Sequence, residues 1–69
     1  MSTLRVNGAV REFPEGIPAT LADLLVQLNI TGSAVVAELD GTIVKRDVFD
    51  TTALKAGQTV ELIRFVGGG

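Results

Sequence analysis

The chain has 69 residues, 46% of them apolar and 20% charged, with a net charge of −2; that balance fits one small globular domain and excludes a disordered chain. No apolar run approaches the ~20 residues of a membrane span, and Arg5, Arg11, Lys45, Arg46, Lys55 and Arg64 are too scattered to make a nucleic-acid surface. His, Cys, Tyr and Trp are absent, which removes disulfides, thiolate metal sites and the usual acid–base and nucleophilic machinery.

The carboxylates are spread along the chain with no spacing that suggests a catalytic pair or a metal cage. A self-sufficient enzyme is therefore not expected, nor a metal or a permanently bound cofactor. Met1-Ser2-Thr3-Leu4-Arg5 leads straight into strand-like sequence, without the charged leader and apolar segment of a signal peptide. A cytoplasmic protein, monomeric on its own, is the expectation.

Thr3 to Asn7 alternates, with Leu4 and Val6 on one face, as a half-buried strand does. Asn7-Gly8 is a strong hairpin signal, because both residues tolerate positive φ. The return strand is expected over Ala9 to Phe13. A plain two-residue turn sets Val6 opposite Ala9 and puts Arg11 and Phe13 on the core face, whereas a bulge at Gly8 would bury Val10 instead. Pro14-Glu15-Gly16 breaks the strand.

Thr20-Leu21-Ala22-Asp23 opens the one clear helix. Thr20 can cap the first turn, and Asp23, three residues on, suits both a capping box and the positive end of the helix dipole. Leu21, Leu24, Leu25 and Leu28 form one apolar stripe at i, i+3, i+4, i+7. The helix should end near Asn29, with Gly32 just beyond to reverse the chain. Ala34 to Leu39 reads as a strand, Asp40-Gly41 as a turn and Thr42 to Lys45 as a short strand. Arg46 to Ala53 has no clean period and reads as a loop with a helical turn. Leu54-Lys55-Ala56-Gly57 is a tight turn with Gly57 left-handed.

Thr59 to Val66 is the final strand. Val60 and Leu62 face the helix, which leaves Glu61, Ile63 and Phe65 on a face that a single helix cannot cover. The order is thus β-β-α-β-β-β, an α+β fold in which the helix packs on one face of a mixed sheet of about four to five strands. Connecting strands two and three through a helix calls for a parallel pair somewhere in that sheet. The strand ends in Gly67-Gly68-Gly69, glycines that bury no side chain and lose most entropy when ordered. They read as a flexible tail (67–69) on a domain of residues 1–66. Extended, three residues reach roughly 10 Å, thin enough to carry a terminal carboxylate down a channel too narrow for side chains. The alternative is a chain end without a role.

Three stretches then narrow the reading: Val6-Asn7-Gly8, Thr20-Leu21-Ala22-Asp23-Leu24-Leu25, and Val60-Glu61-Leu62-Ile63-Arg64-Phe65-Val66-Gly67-Gly68-Gly69. Together they resemble the ThiS family, the bacterial sulfur carriers of thiamine thiazole biosynthesis, whose fold is the ubiquitin-like β-grasp. Asp40-Gly41-Thr42-Ile43-Val44-Lys45-Arg46 is similar to the family's central turn and strand, where a Pro often stands in place of Lys45. The resemblance covers nearly the whole chain, and the terminal motif is its specific part.

The resemblance implies that the Gly69 carboxylate is adenylated by an E1-like, ThiF-type enzyme that uses ATP. Sulfur originating from cysteine, delivered via a cysteine desulfurase, then converts it to a thiocarboxylate, which a ThiG-type thiazole synthase accepts. Gly67 and Gly68 would let two different active sites grip the backbone closely. Ile63, Phe65 and Val66 would dock the partners, the alternative for Phe65 being packing over the sheet edge. Arg64 would steer the tail toward an acidic or nucleotide-bearing pocket. Competing readings are a sulfur carrier for molybdopterin or a secondary metabolite, and a β-grasp binding module or protein modifier.

Overall fold

The computed structural model describes residues 2–30 and 35–64. Strand β1 (Thr3–Val6) turns at Asn7-Gly8 into β2 (Ala9–Glu12). Helix α1 (Leu21–Gln27) follows, then β3 (Val35–Leu39), β4 (Thr42–Val44), a 3-10 segment (Arg46–Thr51) and β5 (Thr59–Arg64). The five strands form one sheet in the order β2-β1-β5-β3-β4. With one main helix packed on one face, this is the ubiquitin-like β-grasp.

Both hairpins use two-residue turns in which both central residues have positive φ: Asn7 (49°) with Gly8 (84°), and Asp40 (50°) with Gly41 (86°). That conformation matches the right-handed twist of the flanking strands and favours Asn, Asp and Gly. The first register is that of the plain turn, with Val6 opposite Ala9 and Leu4 opposite Arg11. Phe13 is accordingly buried, and Val10, on the other face, is 60% exposed. Strand β2 ends one residue short of Phe13, although the Phe13 N–H still donates to the Ser2 carbonyl at 2.8 Å. Arg11 shares a face with Leu4 yet stays exposed, because β2 is an edge strand.

Thr20 caps α1, its hydroxyl accepting from the Asp23 N–H at 3.2 Å. Leu21 and Leu24 are fully buried, while Leu25 and Leu28 pack at the margin of the core. The helix closes on Asn29 (φ 59°), not on a glycine. The Asn29 N–H donates to Val26 O at 3.0 Å and the Ile30 N–H to Leu25 O at 2.9 Å, the two bonds of a Schellman closure. Asn tolerates the left-handed region well enough to fill that position. Gly32, expected to reverse the chain, lies outside the described residues, as does Ala34 at the expected start of β3.

The parallel pair is not formed by the strands that the crossover joins. It is β1 with β5, Arg5 facing Thr59 and Val6 facing Val60, while β5 runs antiparallel to β3 on its other side. Behind the sheet, Leu4, Val6, Phe13, Leu21, Leu24, Ala37, Phe49, Leu54, Val60 and Leu62 make one core. The segment expected to hold a helical turn supplies it as the 3-10 segment, which packs against α1 and buries Phe49. A bridge between Thr20 and Ala53 ties its exit to the helix start. The next turn is one residue later than expected: Gln58 N–H donates to Lys55 O at 3.3 Å, with Gly57 left-handed at φ 87°.

Leu24→Ala is expected to cost about 2–5 kcal/mol, a large part of the stability of a domain this size. Val26→Ala, on the same helix but 75% exposed, should fall within about 0.5 kcal/mol of the parent. Urea unfolding of the two variants side by side checks the assignment of the helix faces.

Candidate functional site

Every residue singled out for function lies on β5 or beyond it. The strand begins from a fixed point: Asp40 Oδ1 accepts the Thr59 N–H at 2.9 Å, and the Asp40 N–H donates to Thr59 O at 2.8 Å. Gln58 joins this clamp, its Nε2 donating to Asp40 Oδ2 at 3.2 Å while its Oε1 accepts the Lys55 N–H at 2.7 Å. From there Val60 and Leu62 point into the core, as their alternation requires.

The opposite face of β5 carries Glu61 and Ile63. Ile63 is 50% exposed and faces Val36 on β3; Glu61 faces Glu38, which in turn faces Ile43 on β4, itself 65% exposed. An apolar group of Ile63, Val36 and Ile43 thus surrounds two carboxylates set opposite each other. Like charges in that position oppose sheet formation, so the pair is not there for stability. Among the described residues neither carboxylate is in a salt bridge.

Arg64 is exposed at the end of β5, opposite Val35, and alternation puts it on the other side of the strand from Ile63. Ile63 and Arg64 are therefore brought to the same strand end but not into one patch. Phe65, Val66, Gly67, Gly68 and Gly69 lie outside the described residues. Val36 and Ile43 were not singled out from sequence; only the register across three strands puts them beside Ile63.

On the β1 side, β5 outlasts its neighbour. The backbone pairing stops at Val60, where the Asn7 N–H donates to Val60 O at 2.9 Å. One residue pair further on, Asn7 Oδ1 accepts the Leu62 N–H at 2.7 Å. Sequence had marked Asn7 only as a turn residue.

Elsewhere, a groove of about 570 Å3 runs between β2 and the end of α1, lined by Arg11, Phe13, Pro14, Ile17, Gln27 and Leu28 among others. It holds none of the residues singled out for function. Among the described residues no group of His, Cys, Asp and Glu side chains could hold a metal ion, and no helix is long and apolar enough to cross a membrane.

Comparison with known proteins gives a consistent result. The model of the ThiS family matches residues 4–69. A crystal structure of the thiamine biosynthesis protein ThiS from Geobacter metallireducens superposes with a TM-score of 0.82 at 34% identity, covering 97% of this chain and 99% of that one. A solution NMR structure of a thiamine biosynthesis protein from the same organism gives 0.80 at 34% identity, covering 97% and 87%. Comparison with curated proteins gives no match.

Glu61→Lys converts the opposed carboxylates into an opposite-charge pair. It should raise stability by about 0.2–1 kcal/mol, read as a higher urea midpoint at unchanged slope. A lower midpoint would mean that Glu38 and Glu61 are not opposing each other.

Proposed function

This chain belongs to the ThiS family, and we propose that it is a sulfur carrier whose Gly69 carboxylate is the group that its partner enzymes modify in the cytoplasm. The reading is carried by one observation: the family match runs through residue 69, so it takes in the glycines as well as the folded body. The physical chemistry agrees with it. A chain without His or Cys brings no nucleophile or neutral-pH base of its own, so the catalytic groups must be the partners'.

A carboxylate is a poor electrophile, because its charge is delocalised and the leaving group would be oxide. An E1-like adenylating enzyme of the ThiF type removes that obstacle. A Gly69 oxygen attacks the α-phosphorus of ATP, pyrophosphate leaves, and the acid becomes an acyl-adenylate. A persulfide charged by a cysteine desulfurase displaces AMP and leaves an acyl disulfide. A second thiol then cleaves the S–S bond, releasing the thiocarboxylate and leaving a disulfide on the donor. A thiazole synthase of the ThiG type takes up the sulfur for the thiazole ring of thiamine, consistent with the names of the two similar structures.

The folded domain serves these steps as a handle. Ile63, with Val36 and Ile43 beside it, gives the partners an apolar face to dock on, continued in sequence by Phe65 and Val66. Arg64 steers the tail toward the nucleotide. Gly67 and Gly68 place no Cβ against the walls of either active site.

Incubation with the adenylating enzyme, ATP and a sulfur donor should replace one C-terminal oxygen with sulfur, visible by intact mass. Deleting Gly69 should abolish the change without altering the unfolding midpoint; an unmodified parent chain would overturn the carrier reading. Ile63→Asp should raise the KM for adenylation about tenfold, equivalent to about 1.4 kcal/mol of binding, and leave the chemistry of the tail intact.

A further inference from the structure

The bond from Leu62 to Asn7 continues a ladder that the backbone has already abandoned. In an uninterrupted parallel pair, the residue facing Glu61 donates its N–H to the Val60 carbonyl and accepts the Leu62 N–H on its own carbonyl. Asn7 makes the first of these bonds with its backbone, at 2.9 Å. Its φ of 49° takes the chain into the hairpin turn, and the second bond is made by the side-chain carbonyl instead, at 2.7 Å. The two residues are 55 positions apart and the bond is partly buried. The turn itself requires only positive φ, which Gly supplies as well as Asn, so the amide is surplus to the hairpin.

We propose that Asn7 is a positioning residue for the C-terminal tail: its side-chain amide holds the last β1-side rung of β5, so that the tail departs from Arg64 and not from Val60. Past Val60 the strand is otherwise held by β3 alone, through Val36 with Ile63 and Val35 with Arg64. With both sides held, five residues follow the anchored strand, a reach of roughly 17 Å when extended. Release back to Val60 leaves nine residues between the anchor and the terminal acid. The effective concentration of the end of a flexible tether falls as about the −3/2 power of its length, which gives roughly a 2.4-fold loss for that change. The role rests on the reading that the Gly69 acid is the group adenylated.

The test uses the full chain with Asn7→Gly, which keeps the turn and removes the acceptor, and Asn7→Asp, which keeps both. Amide exchange and adenylation are measured well below the unfolding transition. For Asn7→Gly, the Leu62 amide should lose at least tenfold of its protection and kcat should fall about two- to threefold. KM should hold, because the docking face is untouched. Asn7→Asp should restore protection and kcat. Parent-like kcat in Asn7→Gly, unchanged Leu62 exchange, or a fall that Asn7→Asp does not rescue would overturn the positioning role. A parent chain that is not adenylated at all would sink the carrier reading and the role built on it.

Discussion

One seven-residue helix covers one face of a five-stranded sheet, and that shortage of cover shapes the rest of the molecule. Leu21 and Leu24 of the helix close over Val60 and Leu62, so the central strand must commit alternate side chains to the core. The residues between them have nothing to pack against. In a larger domain a second layer would cover them; here Ile63 and Ile43 remain half or more exposed beside two facing carboxylates. The apolar group is small, but it lies on the strand that leads to the glycines. The helix thus determines which face of the sheet is left for partners.

Much of this architecture was legible from sequence wherever local chemistry decides it. Asn7-Gly8 and Asp40-Gly41 announce their turns because few other residues accept positive φ at both positions. Thr20 with Asp23 announces the helix start, and the leucine spacing announces the buried face. The first hairpin's register was ambiguous by one residue, and burial of Phe13 in place of Val10 resolves it. The helix end was misassigned because Asn29 does what was expected of Gly32: both residue types tolerate the left-handed conformation, and spacing alone favoured the glycine.

What sequence could not reach is non-local. Nothing in Thr3–Val6 or Thr59–Arg64 states that they lie side by side, since pairing between distant segments depends on how the whole sheet assembles. For the same reason Val36 and Ile43 could not be grouped with Ile63, although each was visible as an apolar residue in a strand. Ile63 and Arg64 were both attributed to partner docking, yet alternation sends them to opposite sides. Asn7 was read for its backbone, and its side-chain bond to a residue at the far end of the chain left no local trace.

The placement of β5 also has a mechanical consequence. The β1–β2 and β3–β4 hairpins do not pair with each other; β5 lies between them and bonds to both. A load applied along its axis from the C-terminal end is therefore resisted by rungs on two flanks at once. At an edge, or in a hairpin opened from its end, rungs would give way one after another. An enzyme that draws the terminus into its active site can pull on this strand without stripping it from the fold, much as a rope holds better when it is laid through the middle of a splice.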